Sequence, residues 1–242
     1  MSSMPTSWRL APLVLLAAAG CSVSAYDTDY KARVAAFLGD AAFAELDSTP
    51  REFADGRVRV HLPTKFDTVE EESRPVSLSF LRNVEEAMAF NAKLFTQGNM
   101  ERRPVVVVAA VPTARRKPDD LKREITEWIN QDGTFRGREW KSVKVEATKG
   151  GPAEWEVLSL DGEQAFEATT AGVDGLVDQA MKGSGSVWLS TAADRDFCVV
   201  VAIRMPDEVA GQFRTASAQL AELMARRVEI TPPAAPDAPA GK

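Results

Sequence analysis

Two short stretches carry no polar residue on either face. Residues 104–111 read Pro-Val-Val-Val-Val-Ala-Ala-Val, and residues 197–203 read Phe-Cys-Val-Val-Val-Ala-Ile. A strand sends alternate side chains to opposite faces, so a run that is apolar at both parities must be covered on both sides. Both runs are far shorter than the ~20 residues of a membrane-spanning helix. They are expected at the middle of a sheet, with a layer of other elements above and below it.

The rest of the chain supplies those layers. Val58, Val60 and Leu62 alternate, which predicts a strand over residues 57–62 that Pro63 stops; Val76, Leu78 and Phe80 predict another. Residues 83–95 fit a helix through Val84, Met88, Asn91 and Phe95, yet their Asn residues weaken it. Pro118, Asp119 and Asp120 suit a helix start, and Leu121, Ile125, Trp128 and Ile129 form its apolar stripe, with Gly133 as the stop. Strands follow at Val143–Val145–Ala147 and over residues 154–160. Asp161-Gly162 predicts a hairpin turn returning through residues 165–168. Residues 169–185 read as a glycine-punctuated loop before a strand at Val187. Asp194-Arg195-Asp196 predicts a turn. From Pro206 the stripe Val209, Phe213, Ala216, Leu220, Leu223 and Met224 predicts one helix of about five turns. The expected fold is α+β: an antiparallel-rich sheet flanked by helices, with a long C-terminal helix. A single domain is expected over residues 57–230, preceded by a tether and short helix over 21–56 and followed by a disordered Pro/Ala tail over 231–242.

The N-terminus constrains location. Arg9 is the only charge in the first twenty residues, and an apolar run interrupted only by Pro12 fills residues 10–19. That length suits a signal-peptide core. It ends in Ala18-Ala19-Gly20-Cys21, which resembles the bacterial lipobox, with Ala18 where Leu is usual. The resemblance implies a signal peptide over residues 1–20 and a lipidated N-terminal Cys21. It implies attachment to a membrane through that lipid, on the periplasmic face or at the outer membrane. An ordinary secretory signal cut after Ala25 and an uncleaved anchor are the alternatives. Removal of residues 1–20 takes away Arg9 and leaves 28 basic against 35 acidic side chains over 222 residues, a balance of −7. A moderately acidic chain is a poor candidate for nucleic acid, whose phosphates call for a concentrated basic face.

Reactive residues are scarce. Only Cys21 and Cys198 are available, so acylation of Cys21 leaves Cys198 without an intramolecular disulfide partner. Cys198 lies within the second apolar run and reads as an inert core thiol. His61 is the only histidine; alternation puts it on a solvated strand face with Arg57 and Arg59. Glu70-Glu71-Glu72 lacks the spacing and the Gly of a calcium loop. Gly183-Ser184-Gly185 lacks the following Gly-Lys-Ser/Thr of a phosphate loop. No catalytic, metal or cofactor-binding pattern is present. The carboxylate pairs Glu154/Glu156 and Asp194/Asp196 are the groups that acid-base chemistry would have to use. Residues 115–149 hold ten Lys/Arg against seven Asp/Glu, and Arg115, Arg116, Lys117, Arg136 and Arg138 are candidate anion-binding residues.

One resemblance extends over the body of the chain. A strand ending at Leu62-Pro63 with Phe66 beyond it, an apolar strand before a helix, a tryptophan-bearing hairpin, and a strand running to Met205-Pro206 before a final helix are similar to the PsbP-like α/β/α sandwich. That fold includes exported bacterial lipoproteins and extrinsic subunits of plant photosystems. Over residues 57–230 the resemblance implies a non-catalytic binding or assembly module and carries over no functional residue. The expected function is therefore a lipid-anchored accessory or binding protein of the cell envelope, acting on an unknown envelope protein. A carrier of a small apolar or anionic ligand is the alternative, and a carboxylate-based hydrolase a further one.

Overall fold

A computed structural model of the chain describes residues 43–69, 86–131, 137–147, 151–191 and 196–231. Residues from Glu45 onward form one compact unit. The expected signal, Cys21, the early helix, the strand at Val76, the Glu70 run and the tail beyond Thr231 lie outside the described residues.

A small sheet joins β1 (Arg51–Phe53), β2 (Val58–Val60) and, from the far end of the chain, β13 (Glu229–Ile230), in the order β1-β2-β13. The folded unit thus starts before residue 57, because β1 pairs with β2 and Leu46 bridges to Pro63. The second sheet contains β3 (Thr68–Val69), β4 (Ala87–Asn91), β5 (Leu94–Phe95), β6 (Glu101–Arg103), β7 (Val105–Pro112), β8 (Lys141–Lys144), β9 (Glu154–Ser159), β10 (Gly162–Thr169), β11 (Leu176–Ser190) and β12 (Phe197–Pro206). The pairings between them are antiparallel. The two all-apolar runs become β7 and β12, adjacent at its centre, flanked by β4 on one side and β11 on the other. Of the ambiguous residues 83–95, Ala87–Asn91 and Leu94–Phe95 are strands β4 and β5, and residues 83–85 lie outside the described residues.

Helix α1 (Pro118–Gln131) covers one face of the sheet. Its buried Leu121, Ile125 and Ile129 pack with Val107, Ala109, Val187, Leu189, Val200 and Ala202. Full burial of each such side chain is worth about 1.5–3 kcal/mol. The opposite face is covered from the C-terminus. There the Ser217 hydroxyl meets that of Ser184 at 2.8 Å, and Ser184 has the opposite strand parity to Val187 and Leu189. The layers are helix, sheet, helix, and the fold is α+β.

The C-terminal cover is not one helix. It is α2 (Asp207–Ala210), a bent segment, and α3 (Ser217–Arg226). Tertiary contacts hold the break. Phe213 leaves the helical stripe and packs on Phe66 with ring centroids 5.9 Å apart. The Gln212 side-chain amide donates to the Phe95 carbonyl at 2.8 Å, and the Arg214 N–H donates to the Glu45 carboxylate at 2.6 Å. Ala216 is extended, at φ −61° and ψ 152°.

Three other expectations change. Asp161-Gly162 does not turn a hairpin: β9 and β10 both pair with β11 in one unbroken register, Ser159 opposite Ser186 and Gly162 opposite Gly183. Gly162, at φ 142°, lets the long strand bend there rather than reverse. Residues 176–185 are therefore strand, not loop, and the true turn lies at residues 170–175, with Gly172 and Gly175 at positive φ. Gly183 and Gly185 are needed for close approach. A Cβ at Gly183 would sit 2.6 Å from the Phe166 ring and 2.7 Å from the Met205 carbonyl, and one at Gly185 would strike the Ile203 carbonyl. His61 is not on a solvated face. It lies past the end of β2, 7% exposed, with Nδ1 2.7 Å from the Asp47 carbonyl.

Cys198 lies in the core under α1. Its thiol donates to the Ser190 carbonyl at 3.1 Å. Burial pushes the thiol up to about 12, against a smaller opposing effect of Ser190. A thiol whose folded pKa is raised favours the native state fully below the unfolded value of about 8.5 and loses that contribution as pH rises toward the folded value. Three outcomes are expected. Thiol-reagent labelling at pH 8, read by mass, leaves Cys198 unmodified in the native protein and modifies it fully in denaturant. Gly185→Ala lowers unfolding free energy by about 1–3 kcal/mol through overpacking. Gly211→Ala, where nothing lies within 4 Å and the backbone is already right-handed, is neutral or stabilising by about 0.4–1 kcal/mol. Urea denaturation of the two variants checks both.

Candidate functional site

The candidate cations do not form one site. Arg115, Arg116 and Lys117 follow Pro112, which pairs with Phe197 at one end of the central strands. Arg138 donates to the Asp161 carbonyl at 2.6 Å. Asp161 lies at the other end, since Pro206 pairs with Gly183 and Gly183 with Gly162. The two groups are about 30 Å apart along β12. Arg136 lies outside the described residues. Within the first group Arg116 is ion-paired with Glu124, and Arg115 and Lys117 are exposed.

Three of the four candidate carboxylates, Glu154, Glu156 and Asp196, are engaged by donors. Glu154 pairs with Lys144 at 3.0 Å. Glu156 accepts from the Ser142 hydroxyl at 2.6 Å and from Lys122 at 3.0 Å. The Ser142 hydrogen bond, together with Lys122, holds the Glu156 carboxyl below its ordinary value despite partial burial. General acid catalysis asks for the opposite shift. Asp196 pairs with Arg57, whose guanidinium lies 4.8 Å from the Phe197 ring centre; Asp194 lies outside the described residues. Among the described residues no group of three His, Cys, Asp or Glu is placed to hold a metal ion.

A cavity under α1, lined by Val105, Val107, Trp128, Leu160, Val187 and Arg204 among others, measures about 10 Å³. It admits at most one water. Ligand pockets run to about 300–1,000 Å³.

The surface is more informative. β4 and β5 pair with β7 and β6 in one register, Asn91 opposite Val105 and Leu94 opposite Arg102. Residues 87–112 therefore make one long hairpin, turned at residues 96–100, where Thr96 N–H donates to the Met100 carbonyl at 3.0 Å. The outer edge of β10 meets β6, Ala168 opposite Arg102. That contact sets the 96–100 turn beside the 170–175 turn at one end of the fold. The Glu101 N–H donates to the Thr169 hydroxyl at 2.7 Å. The buried Arg102 guanidinium clamps the junction, donating to Glu208 at 2.7 Å, to the Thr169 carbonyl at 3.0 Å and to the Glu101 carbonyl at 3.1 Å.

The described residues have three exposed large apolar side chains: Phe95 at 49%, Val173 at 47% and Met88 at 37%. Two of them, Phe95 and Val173, stand at these neighbouring turns. The chain enters the folded unit at the same end, because Glu45 binds Arg214 and, through its carbonyl, the Thr64 N–H at 2.9 Å. Sequence reading did not find this surface. Its one legible sign is the uncharged run Leu94-Phe95-Thr96-Gln97-Gly98-Asn99-Met100.

Among the described residues no helix is long and apolar enough to cross a membrane. No family model matches the chain, and no curated protein matches it. Among solved structures, the Ran-binding protein Mog1p of Saccharomyces cerevisiae is similar at 14% identity, over 76% of this chain and 96% of that one, with a TM-score of 0.39. LpqN, involved in cell envelope biogenesis of Mycobacterium tuberculosis, is similar at 12% identity, over 77% of this chain and 92% of that one, with a TM-score of 0.37. Neither likeness assigns a family or an activity to this chain.

Proposed function

We propose that the chain is a non-catalytic, lipid-anchored accessory or binding protein of a bacterial cell envelope, held by an acyl-modified Cys21 and acting by surface contact. The observation that carries this reading is the gathering of exposed apolar side chains, Phe95 and Val173, at the end where the chain enters the folded unit at Glu45. The cavity under α1 is itself too small to hold a ligand. The ion-paired Glu154 and the lowered Glu156 argue against a carboxylate hydrolase.

Arg115 and Lys117 lie at the opposite end of the central strands from Phe95 and Val173, and the reading assigns them to an acidic surface of an envelope partner. Cys21→Ser in cells tests the anchor. The variant is expected to leave the membrane fraction and to change mobility on a gel. A variant that stays membrane-bound at unchanged mobility contradicts lipidation. Crosslinking in intact cells then tests the partner, with Lys117→Glu expected to lower recovery of the crosslinked protein several-fold.

A further inference from the structure

The two turns at the Glu45 end share a chemistry. Residues 94–100 and 169–176 contain no Lys or Arg and a single acid, Asp174. Each raises one large apolar side chain, Phe95 or Val173, into solvent. Arg102 and the Glu101–Thr169 bond hold the two turns side by side, so both reach the same side of the molecule. Cations stand behind them. Lys65 lies 4.9 Å from the Phe213 ring centre and donates to the Gln212 carbonyl at 2.7 Å, and Gln212 in turn holds Phe95. Lys93 directly precedes β5, and Arg214 follows Phe213; both are exposed. Asp67 and Asp207 are exposed acids on the same segments, and Glu208 is engaged by Arg102.

From this geometry we infer that the end bearing Phe95 and Val173 seats directly on a phospholipid bilayer, the two turns entering the interface and Lys65 and Lys93 reaching headgroup phosphates. Uncharged tips with an aromatic ring suit the headgroup level, where an apolar body and wet surroundings are both accommodated. Cations set behind them suit phosphate. Tip-first seating keeps the exposed acids Glu163 and Asp178 on the flank of the β10–β11 arm rather than against lipid. The junction of the folded unit with the N-terminal segment at Glu45 lies at this end, 24 residues after Cys21. Tethering raises the effective concentration of such a surface to about the millimolar range, so weak intrinsic contact is sufficient. The inference rests on the anchored reading for its setting, but its test does not use the anchor.

The test is vesicle flotation of residues 21–242 carrying Cys21→Ser, which retain the whole compact unit and have no lipid. Vesicles of phosphatidylethanolamine and phosphatidylglycerol are used at millimolar accessible lipid. The chain is expected to float with the vesicles. Phe95→Ser and Val173→Ser, both at exposed positions, are each expected to lower the bound fraction, Phe95→Ser by about fivefold or more. Lys65→Ser with Lys93→Ser lowers it by about fivefold per charge and flattens its salt dependence. Equal urea midpoints for the variants and the parent separate loss of contact from loss of fold. Absence of flotation overturns the inference, as does flotation that none of these substitutions changes. Unchanged flotation with lost crosslinking to an envelope protein assigns the end to a protein partner and also overturns it. Failure of the Cys21 reading would appear in cell fractionation instead, with flotation unaffected.

Discussion

β7 and β12 pair over eight residues, from Pro112 opposite Phe197 to Val105 opposite Arg204. Both strands are apolar on both faces, so neither can lie at an edge or face water. That single pairing forces the three-layer arrangement. α1 must close one face and the C-terminal helices the other, and β4 and β11 must flank the pair. It also sets the tolerance for error. β11 lies against β12 through Gly183 and Gly185, where a methyl group would strike the Ile203 or Met205 carbonyl. The centre therefore admits little change in volume.

The central layer was legible because burial on both faces leaves a mark in composition. The α1 stripe was legible because 3.6-residue periodicity does the same. What the sequence hid was set by partners far away along the chain. Asp161-Gly162 has the chemistry of a hairpin turn, yet β11 runs past it as a continuous template and makes it a bend. The stripe from Val209 to Met224 has helical spacing, yet Phe66, Phe95 and Glu45 draw residues 212–214 out of the helix. His61 obeys strand alternation only while the strand lasts, and β2 ends at Val60.

The candidate surface shows the same division. Arg115, Arg116, Lys117 and Arg138 are close in sequence but sit at opposite ends of the central strands, because α1 runs between them, about 21 Å long. Phe95 and Val173 are far apart in sequence but neighbours in space, because β6 pairs with β10. Local patterns rank residues by type. Only the non-local pairing decides which of them can act together. The folded unit from Glu45 is polarised: the apolar turns and Glu45 lie at one end, Arg115 and Lys117 at the other, with about 35 Å of strand between them.

That polarity is the central claim, and probe depth in a bilayer measures it directly. The full chain, carrying the proposed lipid on Cys21, is reconstituted in vesicles with a fluorophore on a cysteine introduced by Phe95→Cys or by Lys117→Cys; buried Cys198 does not compete for label. The probe at position 95 is predicted to be quenched by lipid-borne quenchers and shielded from aqueous ones, with the probe at position 117 showing the reverse. Equal aqueous quenching at both positions, or lipid quenching at 117 alone, would contradict it.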